Sequence, residues 1–99
     1  MTTHRMSVRK FIKNTPEIRT LVTRGEFEEV RRILTEKEYA GFNFQHVDAE
    51  VYIWCHKQFG TKNWVKLGRE IWFTNNSYHA MFALQWMGTP RAWRWGDEN

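Results

Sequence analysis

The chain has 99 residues, 41% of them hydrophobic, and carries 6 Trp, 7 Phe and 3 Tyr. That length holds one domain, and the aromatic load excludes a wholly disordered chain, because each buried ring removes about 150–250 Å² from water. The formal net charge is +4, with its positive excess at the N-terminal end.

Residues 1–24 contain Arg5, Arg9, Lys10, Lys13, Arg19 and Arg24 against Glu17 alone, whereas residues 26–38 contain five Glu against Arg31, Arg32 and Lys37. A basic N-terminal half attracts nucleic acid or an acidic protein surface, and charge alone does not separate the two. Cys55 is the only cysteine, which excludes an intrachain disulfide and agrees with a reducing compartment. No apolar run follows the N-terminal basic residues as in a signal peptide. No apolar stretch approaches the roughly 20 residues of a membrane span. These features lead us to expect a soluble, cytoplasmic protein without membrane association.

In chain order, residues 1–6 are expected to be a disordered start. Ser7 can cap a short helix that carries Val8, Phe11 and Ile12 on one face. It should stop by Asn14, because Pro16 disfavours helical dihedrals at Thr15. Thr15-Pro16 then restarts a helix with Ile18, Leu21 and Val22 inward, ending at Gly25. Phe27, Val30, Ile33 and Leu34 repeat the helical spacing, with Glu26, Glu28 and Glu29 in a first turn where the helix dipole favours them. A hairpin over residues 20–32 competes with these two helices, but its alternation is poor. Thr35 to Glu38 has the form of a capping box, which predicts a further helical turn to Ala40, broken at Gly41. Phe42-Asn43-Phe44 then reads as an aromatic connector plugging the core.

Asp48 is placed as an N-cap with Val47 before it as a hydrophobic staple. The helix that follows aligns Val51, Cys55 and Phe59 and ends at Gly60. After the polar turn Thr61-Lys62-Asn63, Trp64–Leu67 and Glu70–Phe73 form a hairpin, and Gly68-Arg69 suits a type II′ turn. This register pairs Leu67 with Glu70, Lys66 with Ile71, Val65 with Trp72 and Trp64 with Phe73. One face then carries Trp64, Ile71 and Phe73, and the other carries Val65, Leu67 and Trp72. A lone hairpin is marginal, so helices must cover at least one face. Asn75-Asn76-Ser77 supplies caps for a helix over residues 78–87, apolar nearly all round, as in a buried or partner-binding helix. The predicted fold is α+β: short N-terminal helices, then a helix–β-hairpin–helix unit with an aromatic-rich core. It forms one domain over residues 1–88, and residues 89–99 form a tail.

The run Trp54-Cys55, Phe59-Gly60, Trp64, Ile71-Trp72-Phe73-Thr74-Asn75 and His79-Ala80-Met81-Phe82-Ala83-Leu84-Gln85-Trp86 resembles short, mostly uncharacterised tailed-bacteriophage proteins. Shared features are an aromatic strand, a polar turn and an alanine-led helix ending in a Phe-x-Leu-x-Trp-like segment. The resemblance covers residues 54–86, implies a phage accessory origin and brings no catalytic residue with it.

Cys55 and His56 are adjacent on a helix, about 100° apart around its axis, so they do not converge as nucleophile and base. No spacing completes a zinc site, and a buried structural Cys is the reading kept. His4, His46, His56 and His79 are scattered, the Glu26, Glu28 and Glu29 cluster fits a solvated first turn, and no Gly-rich phosphate loop occurs. Two segments invite binding. Arg5, Arg9 and Lys13 fall at four-residue steps and, with Lys10, form a stripe able to neutralise phosphates or to lie solvated. Arg91, Trp93, Arg94 and Trp95 alternate cation and ring, suited to stacking on bases, anchoring an interface or folding back onto the domain.

Four functions are weighed: first a non-enzymatic phage-type accessory protein that binds and modulates a host or viral protein, then a nucleic-acid-binding protein, then a virion or assembly component, and last an enzyme, which is not expected. No cofactor, metal or small-molecule substrate is expected.

Overall fold

Ser7 accepts a hydrogen bond from the Lys10 N–H through its side chain and so opens the first helix, α1 (Val8–Lys13). Residues 5–44 and 47–86 are described by the structure, a computed structural model. Among them α2 (Pro16–Arg24) and α3 (Phe27–Glu36) follow, then strand β1 (Ala40–Asn43), helix α4 (Ala49–Phe59), strands β2 (Trp64–Leu67) and β3 (Glu70–Phe73), and helix α5 (Asn76–Trp86). The three strands form one antiparallel sheet in the order β1-β3-β2. Residues 20–32 are therefore helical on both sides of Gly25, and the competing hairpin is absent.

The β2–β3 register is the one the sequence predicts, from Trp64 opposite Phe73 to Leu67 opposite Glu70. Gly68 takes φ +60° while Arg69 stays at negative φ, as a type II′ turn requires. A Cβ on Gly68 would also meet the Phe27 ring at 2.7 Å, so glycine is needed there twice over. Because side chains alternate across a strand, this register divides the core in two. On one face Trp64, Ile71 and Phe73 pack with Phe44, with Val51, Cys55 and Phe59 of α4, and with Phe82 and Trp86 of α5. On the other, Val65 and Trp72 pack with Val8 and Ile12 of α1, Ile18 and Leu21 of α2, Val30 and Leu34 of α3, and Tyr39. Helices cover both faces, giving three layers rather than a hairpin backed on one side. Each fully buried Val, Leu, Ile or Phe contributes about 1.5–3 kcal/mol, so both halves are needed to hold the sheet.

Two expectations are corrected. The capping-box turn after Thr35 does not form: α3 ends at Glu36, and Glu38 adopts φ +67°, turning the chain into β1. Phe42-Asn43-Phe44 is then no connector, since Phe42 and Asn43 belong to a paired strand, with Ala40 opposite Phe73 and Asn43 opposite Glu70. Gly41 sits directly beneath the Trp72 ring, and a Cβ there would lie 2.5 Å from it. Of the start expected over residues 1–6, residues 1–4 lie outside the described residues. Arg5 donates to the Lys37 and Glu38 carbonyls and lies 4.4 Å over the Tyr39 ring, while the Tyr39 hydroxyl donates to Met6 O at 2.7 Å.

Asp48 caps α4 through Val51 N, and Val47 packs on the core beside it. Helix α5 starts two residues earlier than predicted. It buries Phe82 and Trp86 and leaves Leu84 87% exposed, so it is covered on one side only. The tail 89–99 lies outside the described residues.

Candidate binding surfaces

Strand ladders leave outward-facing backbone groups at the edges of a sheet, and here the two edges are finished differently. Thr74 N donates to Asn63 O at 3.0 Å, which sets the phase of the β2–β3 ladder. Residues 63, 65 and 67 therefore bond to β3, and Trp64 and Lys66 turn their carbonyls outward. Arg9 covers the start of that side. Its Nη2 donates to Trp64 O at 3.1 Å, its Nε to Thr61 O at 2.6 Å, and its backbone N–H to Lys62 O at 3.3 Å. Helix α1 is itself anchored at its start, where Val8 N donates to the buried Thr74 hydroxyl at 2.9 Å.

At the opposite edge, Phe44 N donates to Arg69 O at 2.7 Å. With Ala40 opposite Phe73, even positions of β1 exchange bonds with β3, and Gly41 and Asn43 face outward. Gly41 O receives the His79 ring, whose Nε2 lies 3.3 Å away. The Gly41 and Asn43 N–H groups and Asn43 O have no partner among the described residues. This edge lies in a groove of about 570 Å³ between α3 and α5, lined by Arg31 and Thr35 on one wall and Asn76 and His79 on the other. Its floor is the Trp72 ring and β1 itself. His79 stacks on Phe42 at 3.9 Å with the rings 3° from parallel.

Beneath the groove is the one carboxylate buried among the described residues. Glu70 is 6% exposed and accepts from Arg31 Nε at 3.0 Å, Arg31 Nη2 at 2.5 Å and Trp72 Nε1 at 3.1 Å. The hydrogen bonds between Arg31 and Glu70, with the charge of Glu70, raise the Arg31 pKa above its ordinary value. The arrangement fixes the Trp72 ring over Gly41 and presents Arg31 at the groove wall.

Of the N-terminal residues read as a phosphate stripe, Arg5 and Arg9 are spent on backbone carbonyls, which the sequence does not reveal. Lys10 and Lys13 are exposed, and Lys62, from a turn about fifty residues later, joins them. Arg91, Trp93, Arg94 and Trp95 lie outside the described residues.

Cys55 is fully buried in the α4–α5 half of the core, and burial pushes its thiol up to about 12. That fits the structural role given to it from sequence. His56 packs on Trp64 and Tyr52 rather than facing a nucleophile. Among the described residues no group of three or more His, Cys, Asp or Glu is arranged to hold a metal ion. Nor is any described helix long and apolar enough to cross a membrane.

Both the β1 edge and Lys62 are absent from the sequence reading. A signal for β1 existed in the alternation of Ala40, Phe42 and Phe44 on one face with Gly41 and Asn43 on the other. No local signal exists for Lys62, because its neighbours are set by the packing of α1. Comparison with protein-family models, with curated proteins and with solved structures gave no match.

Proposed function

We propose that the chain is a small, non-enzymatic accessory protein of phage type that binds a partner protein, and that it does so by accepting an extended segment of the partner along the β1 edge. The phage-type role draws its support from the resemblance over residues 54–86. The binding mode rests on one observation: Arg9 holds the Trp64 carbonyl at the β2 edge, while at the β1 edge the Gly41 and Asn43 N–H groups and Asn43 O have no partner among the described residues and lie in a groove. An unpaired edge is a template for another strand unless charge, proline or a covering element blocks it. Strand β1, Ala-Gly-Phe-Asn, carries neither charge nor proline. A partner strand would pair with Gly41 and Asn43 and send alternate side chains toward Arg31 and toward His79. Each main-chain bond adds only about 0.5–1.5 kcal/mol net, so side chains filling the groove supply most of the affinity. The proposed place of action is the host cytoplasm, in keeping with a single free thiol.

Asn43→Pro tests this reading, because proline removes an outward N–H and no ladder bond. A random dodecapeptide library is panned on the wild-type protein, and a selected peptide is titrated into isotope-labelled protein. The expected result is slowed amide exchange at Gly41 and Asn43 on peptide addition, and loss of binding in a folded Asn43→Pro variant. Peptides retained equally by Asn43→Pro would refute the edge as the site.

A further inference from the structure

The tertiary structure replaces the N-terminal stripe with a different cationic cluster. Arg9 holds the Lys62 carbonyl with its backbone N–H and the Thr61 carbonyl with its side chain, pinning the 61–63 turn against α1. Lys62 is thereby brought beside Lys10 and Lys13, which stand three residues apart on one side of α1. Among the described residues, Arg9, Lys10, Lys13, Asn14 and Lys62 line a concavity of about 340 Å³. No carboxylate among the described residues lines it. Lys10, Lys13 and Lys62 enter no ion pair among the described residues. Glu29 and Glu36 both pair instead with Arg32. Three like charges held around one hollow repel one another and gain by neutralisation from an anion.

We propose that Lys10, Lys13 and Lys62 form a binding site for the phosphodiester backbone of nucleic acid, distinct from the β1 groove. Lysines act as point charges on flexible stems and neutralise phosphates without the fixed fork that reads a single carboxylate or a base edge. The lining residues described include no aromatic ring on which a base could stack. The site therefore grips the backbone and ignores sequence, and its affinity is governed by counterion release. A duplex meeting three lysines gives a log–log salt slope of about −2.7, which weakens binding about 40-fold between 50 and 200 mM salt.

The test is fluorescence anisotropy with labelled duplex DNA of two unrelated sequences, titrated at several salt concentrations. Lys10→Gln, Lys13→Gln and Lys62→Gln are compared with Lys66→Gln, an exposed lysine outside the cluster. All four side chains are exposed, so the variants are expected to fold, and circular dichroism verifies this. The proposal expects equal affinity for both sequences and a slope shallower by about 0.9 in each cluster variant. It also expects no change in Lys66→Gln, and full DNA binding in Asn43→Pro. Lys62→Gln is decisive, because only the folded arrangement brings that residue to the site. The proposal is overturned by an absence of salt-dependent binding, by a Lys62→Gln slope equal to wild type, or by Lys66→Gln lowering the slope as much. Poly-glutamate competing as well as DNA at equal charge would also overturn it, since a generic anion sink would then suffice.

Discussion

Removing the Glu70 carboxylate separates two roles that the structure gives it. In Glu70→Ala the Trp72 indole N–H loses its acceptor inside a ring only 4% exposed. A buried donor left unpaired costs about 1–3 kcal/mol. The Arg31 side chain is 53% exposed and rehydrates when its partner goes, so the ion pair adds under about 1 kcal/mol. The expected loss is therefore about 2 kcal/mol, or roughly 8–16 °C in Tm for a domain of this size. Glu70→Gln retains a carbonyl oxygen for the indole and loses only the charge, so it should cost about 0.5–1 kcal/mol. Urea unfolding followed by tryptophan fluorescence measures both, provided the m-values agree. If Glu70→Gln destabilises as much as Glu70→Ala, the negative charge is what matters and the acceptor reasoning is wrong. If neither variant shifts the midpoint, the network under the β1 groove contributes nothing.

Arg9→Ala should cost about 1–2 kcal/mol by freeing the Thr61 and Trp64 carbonyls, and Arg9→Lys should recover little of it, since one ammonium does not span both. Full rescue by lysine in thermal melts would count against that account. Cys55 should stay unreactive toward a thiol reagent at about pH 8 until denaturant is added, and rapid labelling of native protein would contradict its burial. The burial that moves its thiol from the ordinary 9.0 to about 12 also sets a pH dependence. Between those values the folded chain retains a proton that the unfolded chain releases. Stability is thus fully present below 9 and falls as pH rises, by up to about 1.4 kcal/mol per unit. Burial likewise raises the Tyr39 phenol despite the Arg5 guanidinium, which adds to the alkaline loss. Cys55→Ala should flatten the part due to the thiol. Glu38→Gly should raise stability by about 0.5–1 kcal/mol, because Glu38 occupies φ +67°; a loss in denaturant melts would show that its side chain matters.

The local sequence was enough for most helices and for the hairpin. Ser7, Pro16 and Asp48 act through hydrogen bonds or dihedral limits within a few residues, and a two-residue turn at Gly68-Arg69 leaves the β2–β3 register little freedom. The division of the core followed from the same period of two that put Trp64 and Trp72 on opposite faces. Thr35 to Glu38 misled because a capping pattern has the same spelling inside a last turn as at a first one. The end of α3 is held instead by Arg5, more than thirty residues upstream.

Tertiary structure alone decided which charges are free. Arg9 and Lys10 are neighbours in the chain, yet one is bound to carbonyls of the α4–β2 turn and the other stands in solvent beside Lys62. It also decided that residues 40–43 pair with β3 and form the open edge of the sheet. Both outcomes depend on contacts between distant segments, and the free energy of such contacts exists only once the two helical layers have closed on the sheet.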